Sequence, residues 1–332
     1  MAEGGDQGIW AIADLVTPMA VRVAATLRVA DHVADGVRTA RELAGVTGAD
    51  AGVLERVLRH LVTAEVFSQD ARGRYGLLPR GEELRENHPS GVRRRLDVEA
   101  PLGRADLAFV ALLHSVRTGE AAFPRQYGRS FWDDLRADPE RAADYNAEMG
   151  ADVAAWAKAV VPAFDWGALG RIVDVGGGNG TLLAALLAAY PRLRGTVFDQ
   201  PEAVRAARAT LSAAGLADRG DAVAGDFFGA LPAGADGYVL SAILHDWDDD
   251  AARTILRRCA EAAGTHGRVM VVERVGADGE SVHTGMDLRM LVYFGARERG
   301  VAELTDLAGG AGLRVAGVHQ AGDLAVVEMV AA

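Results

Sequence analysis

His245 stands in the string LHDWDDD, at the end of the apolar run GYVLSAIL. A histidine at such a place is a candidate general base, because its unperturbed pKa of ~6.5 lies near working pH. Helix capping is the plainer reading of the aspartates behind it. Asp248 can cap the next helix, and Asp249 and Asp250 suit its first turn, where negative charge meets the helix dipole. That accounts for the later aspartates and leaves His245 over.

A second set of candidates lies upstream. DVGGGNG (174–180) holds four glycines in seven positions, with Gly176, Gly178 and Gly180 at spacing two and two. A dinucleotide turn would want its third glycine at 181, which is Thr181. Asp174 closes the apolar run before the turn, and Asp199 closes the next one, 23 residues after Gly176. Asp226 closes a third in GDFF, between Gly225 and Phe227. A carboxylate at Asp199 can accept two hydrogen bonds from a ribose diol, and Phe227 offers a face to an adenine ring. Three acidic run ends suit a nucleoside cofactor without a large phosphate group better than a pyrophosphate. A nicotinamide-dependent oxidoreductase is therefore the weaker alternative.

These residues need a frame to bring them together. From residue 171, short β-branched runs alternate with alanine-rich helical stretches: RIVDVG, GTVFD, DAVAGD, GYVLSAIL, RVMVVERV, LRVAGVH and LAVVEMV. Alternation of this kind predicts a parallel sheet covered by helices on both faces. Ligands of such sheets sit outside the carboxyl ends of the strands, where the strand order reverses. The last two runs are separated by a few residues around Gly322 and Asp323, so they can pair only as an antiparallel hairpin.

The first part of the chain reads differently. Val16, Met19, Val23 and Leu27 recur at helical spacing within residues 10–35. Further on, Thr39 opens a short helix, Gly48 breaks it, Asp50 caps a second, and Gly73 sits in the turn of a two-stranded wing. A winged-helix unit suggests a ligand-responsive DNA-binding protein as a competing function. Residues 38–85 hold eight arginines against seven acids, without the basic excess of a groove-reading face. A dimerisation scaffold is favoured. Residues 100–165 read as helical, with Pro139 near a helix start.

Composition narrows the classes further. At 332 residues the chain can form one large or two medium domains, and we divide it into residues 1–95 and 96–332. A net charge of −11 argues against general nucleic-acid binding, which draws on phosphate neutralisation. The single cysteine, Cys259, excludes disulfides and a thiolate metal cage, and it reads as packing. No run reaches the ~18 consecutive apolar residues of a membrane span. MAEGGDQGIW lacks the marks of a secretory signal, so a cytoplasmic protein is expected, with neither membrane nor nucleic-acid partner. Paired-histidine spacing, a GxSxG elbow and a P-loop are all missing, and no metal is expected.

DVGGGNG, FDQPEAV, GDFF, LHDWDD, VVE and GARERG follow one another in the order and approximate spacing of the caffeate-type O-methyltransferases, including their actinomycete natural-product members. The chain resembles that family over nearly its whole length. The resemblance implies a class I methyltransferase, Rossmann-like sheet preceded by a helical, winged-helix dimerisation domain, and a homodimer. It implies S-adenosyl-L-methionine as cofactor, S-adenosyl-L-homocysteine as product and no metal. The acceptor would be a phenolic hydroxyl of an aromatic, naphthoate-like acid from antibiotic biosynthesis.

Carried over residue by residue, the resemblance makes His245 the base, flanked by Glu273 of VVE and Glu298 of RER. Cofactor contacts fall on Gly176, Asp199, Asp226, Phe227 and Ser241, to which the sequence adds Asp174, Gly178 and Gly225. Ser241 stands where many plant members carry lysine, and Gly300 departs from the commoner ERT. The substrate pocket is expected from Trp132, Met149, Met286, Met290, Tyr293 and Phe294, with Phe131 and Trp156 as further candidates and core packing as the rival role for each. Trp10 or Met19 would reach in from a partner subunit, and Arg289 or Arg297 would grip a substrate carboxylate.

Overall fold

The computed structural model describes residues 8–281 and 283–332, in two compact units that divide between Leu107 and Ala108. In the first unit the local signals form as read. The Thr39 side chain accepts the Glu42 N–H while Glu42 accepts the Thr39 N–H, a capping box that opens helix Ala40–Thr47. Asp50 accepts the Val53 N–H and opens helix Ala51–Thr63, whose Leu54, Leu58 and Leu61 fall on one face and are buried. They pack with Ala25, Val29, Val33, Leu43, Phe67 and Tyr75 into one core. The wing follows as antiparallel strands β1 (Phe67–Gln69) and β2 (Tyr75–Leu77).

Residues 96–107, grouped above with the second domain, belong to the first unit. An Arg22–Asp106 ion pair of 2.6 Å ties helix Pro101–Asp106 to helix Val16–Thr26. Helix Ile9–Ala13 precedes Val16–Thr26, and together they leave Ile9, Trp10, Ile12, Leu15, Val16 and Met19 exposed. By length and composition residues 9–26 could cross a membrane, although Asp14 and Arg22 interrupt the apolar run. An exposed apolar face of this size marks a contact surface.

The second unit is built on a seven-stranded sheet. Its strands are β3 (Arg171–Val175), β4 (Arg194–Asp199), β5 (Gly220–Ala224), β6 (Gly237–Ser241), β7 (Arg268–Glu273), β8 (Leu313–Ala321) and β9 (Leu324–Ala331). The order is β5-β4-β3-β6-β7-β9-β8, parallel from β5 to β7, with β9 antiparallel to both β7 and β8. Successive side chains point to opposite faces, so Val173, Tyr238, Leu240, Val269 and Val271 join one core. Ile172, Val239, Met270 and Val272 join the other.

Strand order reverses between β3 and β6, where Asp174 is registered with Val239. The glycine turn and the His245 loop therefore leave the sheet side by side. Strand β6 is shorter than the run GYVLSAIL suggests. It ends at Ser241 because Ala242 adopts φ 54°, a left-handed conformation that breaks the ladder and turns the chain into the Leu244–Asp246 turn. Asp248 then caps helix Asp249–Ala263, as its position predicts.

Candidate active site

The glycine turn is shaped by close approach. Gly176 adopts φ +70°, and a Cβ there would lie 2.5 Å from Cδ1 of Ile243, so the turn lies directly against the loop that carries His245. A Cβ on Gly177 would lie 2.5 Å from the carboxyl carbon of Asp174. Asp199 fastens the turn from the next strand: its Oδ2 accepts the Gly178 N–H at 2.8 Å and its Oδ1 the Gln200 N–H at 2.6 Å.

Asp174 is 2% exposed, and among the described residues neither of its carboxyl oxygens has a hydrogen-bond partner. Burial, and then the charge of Asp199, push its pKa up to about 7. The buried Ser241 hydroxyl is likewise without a partner among the described residues. A buried polar group left unsatisfied costs ~1–3 kcal/mol, so acid and hydroxyl together fit a ligand that brings donors, such as the amino-acid end of S-adenosyl-L-methionine. Phe227 lies 3.5 Å from the Cβ position of Gly176, beside the same turn. Asp226 is exposed and accepts the Phe228 N–H at 2.9 Å, which fastens the GDFF turn. Gly225 has a packing reason: a Cβ there would lie 2.1 Å from the Phe198 ring.

His245 is held by acids from two other elements. Its Nδ1 stands 3.2 Å from Oε1 of Glu298 and 3.3 Å from Oε2 of Glu273, both buried. Glu273 ends β7, the strand beside β6, and its Oε1 accepts the backbone N–H of Leu244 at 3.0 Å and of His245 at 3.3 Å. Glu298 is fixed in turn by its own N–H, which donates to Asp287 at 3.0 Å. Nε2 is left for a proton, with Oδ1 of Asp246 at 3.5 Å. Burial works against a charged imidazole here, but Glu273, Asp246 and Glu298 outweigh it and raise the His245 pKa to about 10. Burial also raises Asp246, to about 7, and Glu273, and repulsion from the neighbouring carboxylates adds to it although the imidazole pulls the other way. Donor atoms of His245, Glu273 and Glu298 lie within 4.8 Å of one another, a spacing that also suits a metal ion. Nδ1 facing both acids is the arrangement in which acids fix an imidazole tautomer.

An aromatic wall stands beside this cluster. Trp132, on helix Phe131–Arg136, is stacked with Phe294 at 5.2 Å and with Trp247 at 6.2 Å, each plane within 12° of its own. Trp247 also meets Phe227 edge to face at 5.8 Å, so the rings run on to the one beside the glycine turn. Phe131 stacks on Tyr293 and is buried, as are Tyr293 and Met290. Met149 and Met286 are half-buried, on helices Pro139–Ala163 and Thr284–Phe294. Gly150, next to Met149, admits the Asn179 side chain of the glycine turn, since a Cβ would lie 2.1 Å from its Nδ2. Trp156 lies under the Arg274 guanidinium, 5.8 Å from its ring centre. Arg297 is engaged by Glu303 at 2.6 Å, and Arg289 sits half-buried on helix Thr284–Phe294. Trp10 and Met19 lie in the first unit and are exposed there.

Four residues were not singled out by the sequence: Trp247, Asp246, Tyr145 and Arg299. Trp247 and Asp246 lie inside the LHDWDDD string, between the candidate base and the capping aspartates, and have no assigned role in the sequence reading. Tyr145 meets Trp132 edge to face at 5.8 Å, and burial and then Asp246 push its hydroxyl well above the ordinary phenol value. Arg299 lies inside the GARERG motif, where its neighbours Glu298 and Gly300 are singled out in the sequence reading and the arginine has no assigned role.

Residues 109–314 match the O-methyltransferase domain family and residues 10–85 the O-methyltransferase dimerisation domain. The chain is 53% identical over 324 residues to a 2,7-dihydroxy-5-methyl-1-naphthoate 7-O-methyltransferase of Streptomyces carzinostaticus, across 98% of this chain and 97% of that protein. It is 41% identical to an aclacinomycin 10-hydroxylase of Streptomyces purpurascens, across 96% and 89% of the two chains. A solved O-methyltransferase from neocarzinostatin biosynthesis, in complex with S-adenosyl-L-homocysteine and 1,4-dihydroxy-2-naphthoic acid, superposes with a TM-score of 0.95 at 52% identity. That match covers 99% of this chain and 100% of the other.

Proposed function

The chain belongs to the O-methyltransferase family, and from that premise we propose that it methylates a phenolic hydroxyl of a hydroxynaphthoic acid, with His245 as general base. The observation that carries this reading is the imidazole at the strand-order switch, its Nδ1 held by Glu298 and Glu273 beside the glycine turn. S-adenosyl-L-methionine supplies an electrophilic methyl group when bound. Asp174, Gly176, Gly178, Asp199, Phe227 and Ser241 would hold it, Asp174 meeting its ammonium and Asp199 its ribose.

Glu298 accepts the Nδ1–H, which leaves the Nε2 lone pair as the base. A phenol has a pKa of ~10, so it needs help to ionise at neutral pH. The acids that raise the imidazole to about 10 match its neutral form to a phenol as proton acceptor while making that form scarce at neutral pH, and Glu273 and Glu298 steady the imidazolium that results. Trp132, Phe294 and Trp247 offer flat faces to a fused-ring substrate, with Met149 and Met286 as adaptable edges. No step calls on a metal ion.

The exposed apolar face of residues 9–19 supports a homodimer through the N-terminal unit, and we place the protein in the cytoplasm. The test is incubation with methyl-labelled S-adenosyl-L-methionine and a panel of hydroxynaphthoic acids. One labelled methyl ether for each S-adenosyl-L-homocysteine formed is expected. A hydroxylated product without label would overturn the reading in favour of the chemistry named for the 41% identical relative.

A further inference from the structure

We infer that Arg299 is a positioning residue that sets where His245 stands, an inference that rests on His245 being the base. Arg299 is 3% exposed, and its guanidinium bridges the loop that carries the histidine. Nη1 donates to the Leu244 carbonyl at 2.7 Å and Nη2 to the Trp247 carbonyl at 2.7 Å. Nε and Nη2 also donate to Oδ1 of Asp249, at 3.1 and 2.9 Å.

The two carbonyls bracket His245, one residue before it and two after. Glu273 holds the amide side of the same loop through the N–H groups of Leu244 and His245. One carboxyl group on the donors and one guanidinium on the acceptors therefore clamp a short segment that leaves β6 at the left-handed Ala242. Glu298, the neighbour of Arg299 in sequence, holds the imidazole itself. Consecutive residues thus fix the ring and the backbone that carries it. The Trp247 carbonyl is one of the two clamped groups, so the same contact steadies the ring stacked on Trp132. A planar fork can bridge two carbonyls and a carboxylate at once, and an ammonium cannot match that geometry.

Arg299→Lys and Arg299→Ala test this, with turnover, substrate KM and cofactor affinity measured for each and His245→Ala run alongside. Displacement of a reacting group by ~1 Å costs about 10²-fold, so Arg299→Ala should lose about that much in kcat while binding cofactor normally. Millimolar guanidinium should restore part of the turnover of Arg299→Ala, and Arg299→Lys should fall between Arg299→Ala and the unaltered enzyme. An Arg299→Ala variant with full turnover overturns the inference. Parallel loss of cofactor binding and turnover in both variants, without guanidinium rescue, also overturns it, because Arg299 would then hold the fold rather than the base. Full turnover in His245→Ala defeats the base reading by itself, whereas an inactive His245→Ala beside a fully active Arg299→Ala defeats only the positioning role.

Discussion

Nδ1 of His245 and Oε1 of Glu298 stand 3.2 Å apart, although 53 positions separate the two residues along the chain. The contact sets one tautomer, and with it the ring nitrogen that faces a substrate. His245→Ala should lower kcat by ~10²–10⁴-fold, the usual contribution of a positioned base. Cofactor affinity should be unchanged, since the proposed cofactor contacts fall on other residues. Steady-state kinetics together with equilibrium dialysis would check both, and retained turnover would remove His245 from the mechanism.

The acids around His245 predict an alkaline rate profile. A base works in its neutral form, and a pKa raised from 6.5 to about 10 means that this form is gained only as pH rises. The acid limb of kcat/KM should therefore lie above 6.5. Glu298→Gln removes one of the charges that raise the imidazole, so its limb should move to lower pH while its plateau falls. A limb that stays in place would separate Glu298 from the titration of His245.

Burial and the charge of Asp199 raise the Asp174 carboxyl to about 7, and the proposed contact with an ammonium requires it ionised. Affinity for S-adenosyl-L-methionine should weaken as pH falls through 7. Asp174→Asn keeps the volume and removes the charge; it should bind on the order of 10-fold more weakly, the equivalent of ~1.4 kcal/mol, and show a flat pH response. Calorimetric titration across pH distinguishes this from an acid that only supports the turn, whose loss would leave the pH response intact.

Gly300 departs from the family's ERT, and the structure gives the departure a steric reason. A Cβ at this position would lie 2.7 Å from the Gly279 carbonyl oxygen, which also accepts the Val301 N–H at 2.8 Å. Gly300→Thr should destabilise the protein by about 1–3 kcal/mol through overpacking. Urea unfolding would measure it, and an unchanged midpoint would show that the 276–280 turn yields freely.

Much of the fold was legible in the sequence because its signals are short-range. Thr39, Asp50 and Asp248 cap the helices their positions imply, and Gly322 and Asp323 turn the last hairpin. Seven runs of β-branched residues became the seven strands of the sheet. The end of β6 was not legible, because nothing local requires Ala242 to be left-handed; the Ala242 N–H is held by the Val272 carbonyl of the neighbouring strand. Residues 96–107 lie where two helical stretches meet without a change in composition, and partners such as Arg22 decided their unit.

The sequence by itself determined the main elements, the glycine turn, acids at or just past the ends of three strands, with Asp226 two residues beyond β5, and the candidate base. Tertiary structure decided which groups meet. Placing β7 beside β6 brings Glu273 under the His245 loop, and the segment after helix Thr284–Phe294 delivers Glu298 to the ring and Arg299 to the carbonyls. Hydrophobic periodicity and capping act over a few residues and can be read along the chain. The charge balance of a buried imidazole depends on acids within ~4–6 Å, and only the folded sheet brings them there.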